Sequence, residues 1–255
     1  MSKDISEILS SWEFSPDQNL VRRVRSDDGR EVIQRRIELG ILQIEVEDRP
    51  DGARPYGFPS LYDYYKHFAE EVNTDPLPGD PFQVSPEVCE ELQIEALLYY
   101  QRRLCFFELQ DYSRAARDAR RNLEVFDFVR NHAQREEDVL AMDQYRAFVI
   151  FHRGKAEVLG CLERKEYDFA LEYIEAAERE IKEFFEEYDR PEIGESSEEL
   201  KQLQRWREEI ERLRPLSKKE ILEQELSEAI EREEYERAAK LRDEIQNHSE
   251  QNEEV

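Results

Sequence analysis

The apolar residues of this chain change their period partway along, and that change decides which backbone each stretch can form. From Leu20 to Val46, apolar residues such as Val32, Ile37, Leu39, Ile41, Ile44 and Val46 are interleaved with charged ones. From Ser60 onward they recur three and four residues apart instead, as in Leu61, Tyr64, Tyr65, Phe68 and Val72. Alternation gives a strand one buried face, and spacing by three and four gives a helix one apolar stripe. The expectation is an α+β chain that is mainly α, with a small N-terminal antiparallel β-element and helices after it. Charged residues make up 39% of the chain, against about 25% in an average globular domain. That density fits long solvated helices better than a sheet covered on both faces.

Local signals divide the chain further. Ile5 to Trp12 reads as one short helix. Asp28-Gly29 lies between two alternating runs and reads as a hairpin turn, because glycine accepts positive φ. The alternation slips by one residue at Gly40-Ile41, as a β-bulge would make it slip. Three short strands result, and Arg49-Pro-Asp-Gly closes the last with turn chemistry. Ser60 caps the helix that follows. Residues 73–84 carry Pro76, Pro78, Gly79 and Pro81 and read as a linker. Ser85-Pro86 then opens a helix running to about Gln110. Further helices are expected at about 112–131, 136–163 and 167–188, with a break at Pro191 and Gly194. Ser196 with Glu199, and Ser217 with Glu220, read as capping boxes. The expected organisation is a β-element with a helix over 1–72, the linker over 73–84, a helical array over 85–214, a helical hairpin over 215–248 and a disordered tail over 249–255.

One pattern recurs in the helical part: Asp111-Tyr112-Ser-Arg-Ala115, Glu166-Tyr167-Asp-Phe-Ala170 and Glu234-Tyr235-Glu-Arg-Ala238. In each, an acid and a tyrosine stand between two apolar helices. The tyrosine is expected to pack across the turn, and the alanine to let the second helix approach the first. The first two copies resemble tetratricopeptide helix pairs, although all three are spaced more widely than the roughly 34 residues of that repeat. The middle of the chain is therefore read as an irregular, tetratricopeptide-like array.

Composition argues against several functions. The formal net charge is −25, which opposes direct nucleic-acid binding, since phosphate neutralisation needs a surplus of Lys and Arg. No apolar run approaches the ~20 residues that span a bilayer, so no membrane partner is expected. The opening Met-Ser-Lys-Asp-Ile has no basic segment followed by an apolar core, and a cytoplasmic location is expected. The three cysteines, Cys89, Cys105 and Cys161, are far apart and read as buried free thiols. None of the four histidines falls in a metal-ligand spacing, and no glycine-rich phosphate loop or nucleophile elbow occurs. No cofactor, metal or catalytic residue is expected, and the chain is read as noncatalytic. An enzyme built on the β-element stays open; it would need polar groups converging near Arg35, Tyr56 and Tyr62. One local exception to the acidic charge exists. Between 102 and 121 six arginines face three acids, and Arg114, Arg117 and Arg121 share one helical face. That stripe could dock an anion, a nucleic acid or an acidic partner. The plainer reading, which is favoured, is that these arginines pair with acidic helices of their own chain or simply face solvent.

The end of the chain carries the most specific signal. Leu222, Leu226, Ala229 and Ile230 form one apolar stripe, and Ala238, Leu241, Arg242 and Ile245 form a facing one. Together with Tyr235, Glu236, Ala239 and Asp243, these residues resemble the UVR motif, a helical hairpin found in the excision-repair proteins UvrB and UvrC and in some Clp-protease partners. Two short helices bury little surface alone. The resemblance implies that Leu226, Ile230, Tyr235, Ala238, Ala239, Leu241, Arg242 and Ile245 dock a protein partner. That partner would be a UvrB/UvrC-like or Clp-type subunit, or a second copy of the chain. The bland alternative is a hairpin that only caps the helical array.

Overall fold

A computed structural model of the chain describes residues 4–74, 82–216 and 218–253. It contains two compact units, residues 1–208 and 209–255.

In the first unit a short helix α1 (Ser6–Ser10) precedes three strands, β1 (Val21–Arg25), β2 (Glu31–Ile37) and β3 (Gly40–Glu45). They form one antiparallel sheet in the order β1-β2-β3. The first turn is the expected one. Ser26 N–H donates to the Arg30 carbonyl at 2.9 Å, Gly29 N–H donates to the Ser26 carbonyl at 2.9 Å, and Gly29 takes φ +86°. The expected bulge at Gly40-Ile41 is instead a tight turn. Ile37 pairs directly with Gly40, so Glu38 and Leu39 form the corner, and the slip in alternation is only the passage from one strand to the next. The buried Arg36 guanidinium fastens this corner by donating to the carbonyls of Gly40 at 3.0 Å and Trp12 at 2.8 Å.

The helices follow: α2 (Leu61–Thr74), α3 (Pro86–Glu108), α4 (Tyr112–His132), α5 (Glu136–Asp143), α6 (Arg146–Glu163), α7 (Tyr167–Glu187), α8 (Pro191–Ser196) and α9 (Glu198–Leu213). The helix expected over 136–163 is thus two, parted at Gln144-Tyr145. A six-residue helix starts at Pro191, where a plain break is expected, because proline suits a first helical turn. The cap of α9 is Ser197, which accepts from Leu200 N–H at 3.2 Å, while Ser196 donates back into α8. The Ser196 capping box is therefore off by one residue. Most of the 73–84 linker lies outside the described residues, as does Ser217. At its far end Val84 N–H donates to the His132 carbonyl at 2.8 Å.

The expected boundary at that linker does not separate two cores. Ile33, Ile44 and Val46 of the sheet segment share one buried cluster with Cys105 and Phe106 of α3, Ala115 and Ala116 of α4, and Ala156 of α6. A lone three-stranded sheet has one apolar face to cover, and here the helices cover it. Beyond that seam α3 packs on α4, α4 on α6 and α6 on α7. Gly154 permits the last approach, since a Cβ there would lie 2.9 Å from the Ala177 Cβ.

The helix corners repeat one device. Gln110, Lys165, Asp189 and Glu233 all take φ between 53° and 61°. In each case the next residue's N–H reaches back five residues: Asp111 to Phe106, Glu166 to Cys161, Arg190 to Phe185 and Glu234 to Ala229, at 2.8–2.9 Å. This is the left-handed C-terminal cap usually given to glycine. The acid-Tyr-x-x-Ala pattern begins directly after it in three of the four corners. Ala115, Ala170 and Ala238 are all buried, as expected. The tyrosines differ: Tyr112 packs on the core, Tyr167 is half-buried and Tyr235 is exposed.

Candidate partner-docking site

The second unit ends in a hairpin of α10 (Lys218–Glu231) and α11 (Tyr235–Glu253). The 249–255 stretch, expected to be disordered, is helical as far as Glu253. The heptad-like spacing of Leu222, Leu226 and Ala229 turns one stripe of α10 inward, and Ala238, Leu241 and Ile245 do the same on α11. Ala229 and Ala238 are small enough to let the helices touch beside the corner at Glu233. Outside, Arg237 reaches Glu225 at 3.6 Å and Glu234 at 3.3 Å, and Arg232 reaches Glu228 at 3.5 Å. These exposed pairs stabilise little individually.

The eight residues expected to contact a partner divide into two groups. Ala238 and Leu241 are buried in the hairpin's own core, and Leu226 and Ile245 are half-buried against it. They build the hairpin. Ile230, Tyr235, Ala239 and Arg242 face outward, with Ile230 53% and Tyr235 69% exposed. Tyr235, Ala239 and Arg242 are spaced by four and three on α11, so one outer face carries an aromatic, a small residue and a cation. Ile230 and Tyr235 flank the same corner, outside the buried cluster that joins the two helices. The sequence places six of the eight on apolar stripes, with Tyr235 and Ala239 beside them, but only the crossing of the helices decides which side each residue faces.

The arginine stripe is engaged by its own unit. Arg114 meets Asp111 at 3.0 Å, Glu47 at 3.3 Å and Glu31 at 3.4 Å. Arg117 meets Glu47 at 2.6 Å and donates to the Val46 carbonyl at 2.8 Å. Arg121 pairs with Glu95 and lies 3.8 Å from the Tyr99 ring. These side chains fasten α4 to the end of β3 and to α3. Arg102 does the same from beneath. It grips Asp118 through two nitrogens at 2.7 and 2.8 Å and donates to the carbonyls of Glu45 at 2.9 Å and Asp48 at 2.8 Å.

Glu95, not among the expected site residues, is a buried hub of this unit. It is 0% exposed, and its oxygens accept from the N–H groups of Leu61 at 2.8 Å and Tyr62 at 3.1 Å, the first turn of α2. Arg49 approaches it at 3.2 Å. A helix N-terminus and two guanidinium groups thus neutralise one buried carboxylate. The signal is present in the sequence: Leu92, Glu95, Tyr99, Arg102 and Phe106 share one face of α3, so charged residues stand at core positions. Arg35, Tyr56 and Tyr62 do not converge on a polar site. Arg35 bonds Gln101 at 3.0 Å and Asn19 at 3.2 Å, whereas Tyr56 stacks on Tyr64 at 4.3 Å. All three cysteines are buried and free. Burial pushes the thiols of Cys89 and Cys105 up to about 11, so neither is a ready nucleophile. Among the described residues no cluster of His, Cys, Asp and Glu could hold a metal ion, and no helix is long and apolar enough to cross a membrane.

The family model for the UvrB/uvrC motif (UVR) matches residues 218–251, so the hairpin carries that motif. Neither a curated protein nor a solved structure matches the chain.

Proposed function

We propose that this protein is a noncatalytic, cytoplasmic adaptor whose C-terminal hairpin docks a partner's helix pair. The partner would be a UvrB- or UvrC-type repair subunit or a Clp-type unfoldase subunit. The observation that carries this reading is the outward-facing pair Ile230 and Tyr235 on a hairpin whose inner stripe is already packed against itself. A folded hairpin with a free aromatic at its corner offers a preformed anchor, and aromatic anchors supply a large share of interface energy. The match to the UvrB/uvrC motif over the same residues supports a protein partner. The helical array of the first unit, tetratricopeptide-like in its corner pattern, would then carry the hairpin. The engagement of Arg114, Arg117 and Arg121 by the chain's own carboxylates supports a protein partner over a nucleic acid.

Affinity capture read by mass spectrometry tests this, with the intact chain beside a truncation after Pro215 and a Tyr235→Asp variant. Repair or Clp-type subunits recovered by the intact chain alone are the expected result. Equal recovery by all three baits, or recovery of no such subunit, overturns the reading.

A further inference from the structure

A cleft of about 570 Å³ opens between α3, α4 and α6, within the usual range for small-molecule sites. Leu97 and Tyr100 of α3, Phe126 of α4 and Phe148 of α6 make its walls apolar. Arg103 also lines it and is only 1% exposed. Its Nε and Nη1 have no hydrogen-bond acceptor among the described residues. Asp118 attracts it from a distance, but both Asp118 oxygens are held by Arg102. The Tyr100 ring, 5.2 Å from its guanidinium carbon, offers only a π-face. Asn122, which also lines the cleft, gives its amide nitrogen to the Ala96 carbonyl at 3.0 Å and leaves Oδ1 without a partner.

A guanidinium does not shed its charge at neutral pH. Burial lowers the pKa of Arg103 only to about 10. The chain therefore holds a guanidinium with two unpartnered nitrogens at the wall of an apolar cavity, a costly arrangement unless an anion arrives to meet it. A planar carboxylate matches the guanidinium fork. A phosphate dianion would need a second cation, and none is among the residues lining the cleft. An extended peptide would need repeated donors and acceptors along the groove, whereas Gln93 and Asn122 are the only uncharged amides there.

We propose that this cleft binds a small organic acid with an apolar body, its carboxylate paired with Arg103 and its body against Tyr100, Phe126 and Phe148. The proposal stands apart from the docking role of the hairpin.

Isothermal titration calorimetry on the full chain tests it with 4-phenylbutyrate and octanoate, each beside its uncharged amide. At least one acid should bind, with its amide at least tenfold weaker. Arg103→Met should erase that difference while keeping the helical circular dichroism. Leu97 stands exposed at the mouth, so Leu97→Trp should narrow the entrance without touching the core and weaken acid binding at least tenfold. Failure of both acids to bind at millimolar concentration overturns the proposal. So does equal binding of acid and amide, or an acid preference that survives Arg103→Met. A blocked peptide with a free C-terminal carboxylate completes the set. If it binds while both acids fail, a chain terminus and not a small acid is the ligand.

Discussion

Arg102 and Arg103 are adjacent in sequence, equally buried and opposite in energetic role. Arg102 is satisfied by Asp118 and three backbone carbonyls, so Arg102→Met leaves the buried Asp118 with only the 3.4 Å Arg117 contact and should cost about 3–5 kcal/mol in urea unfolding. Arg103→Met removes an unmatched charge and keeps most of the volume. Without ligand it should stabilise the protein, on the order of 1–3 kcal/mol in the same measurement. In the sequence both belong to one basic cluster. Which one finds a carboxylate depends on where Asp118 sits after α3 and α4 pack, and no local pattern reports that. His152 supplies a pH handle nearby. Burial first, then the charges of Arg103 and Lys155, lower its pKa from 6.5 to about 3. The unfolded chain binds the proton that the folded one refuses, so this group's contribution to stability is intact above pH 6.5 and is lost as pH falls toward 3. The slope is at most about 1.4 kcal/mol per pH unit. His152→Phe should flatten the stability curve across that window in denaturant titrations at stepped pH.

At the scale of elements, the corners and crossings set the predictions. Lys165 is exposed and holds a left-handed φ of 61° at the end of α6. Lys165→Gly should therefore stabilise by roughly 0.5–1 kcal/mol, raising the thermal midpoint. Gly154 meets Ala177 too closely for any added side chain, so Gly154→Val should cost about 1–3 kcal/mol by overpacking. Most helix termini and apolar faces are legible in the sequence because caps and periodicity are local; the break at Gln144-Tyr145 carries no such local mark, and Pro191, which opens the short helix α8, reads as a plain break. The strands are legible too, and only the corner at Glu38-Leu39 reads wrongly, since a bulge and a two-residue turn shift alternation alike. In the hairpin, the stripes are legible but their inner and outer members are not. Leu241 lies in the hairpin's own core, so Leu241→Asp should melt α10 and α11 rather than disturb docking alone. Amide hydrogen exchange across Leu222–Ile245 should accelerate in that variant, whereas Tyr235→Asp should leave exchange there unchanged.

For the molecule as a whole, the sheet and the helices up to Glu208 are one compact unit, although composition places a boundary at 73–84. The sheet's apolar residues lie under α3, α4 and α6, and the arginines of α3 and α4 hold the end of β3. Prolines and a glycine mark a connection in the chain, but a connection is not a seam between cores. The link between Glu95 and the first turn of α2 adds a further tie across that connection. That tie also bears on how the molecule would respond to force. Load entering through the sheet would reach the helices through the four carbonyls held by Arg102 and Arg117 at the end of β3. A pull on the sheet would therefore have to break these bonds and expose Ile33 and Ile44 in one step.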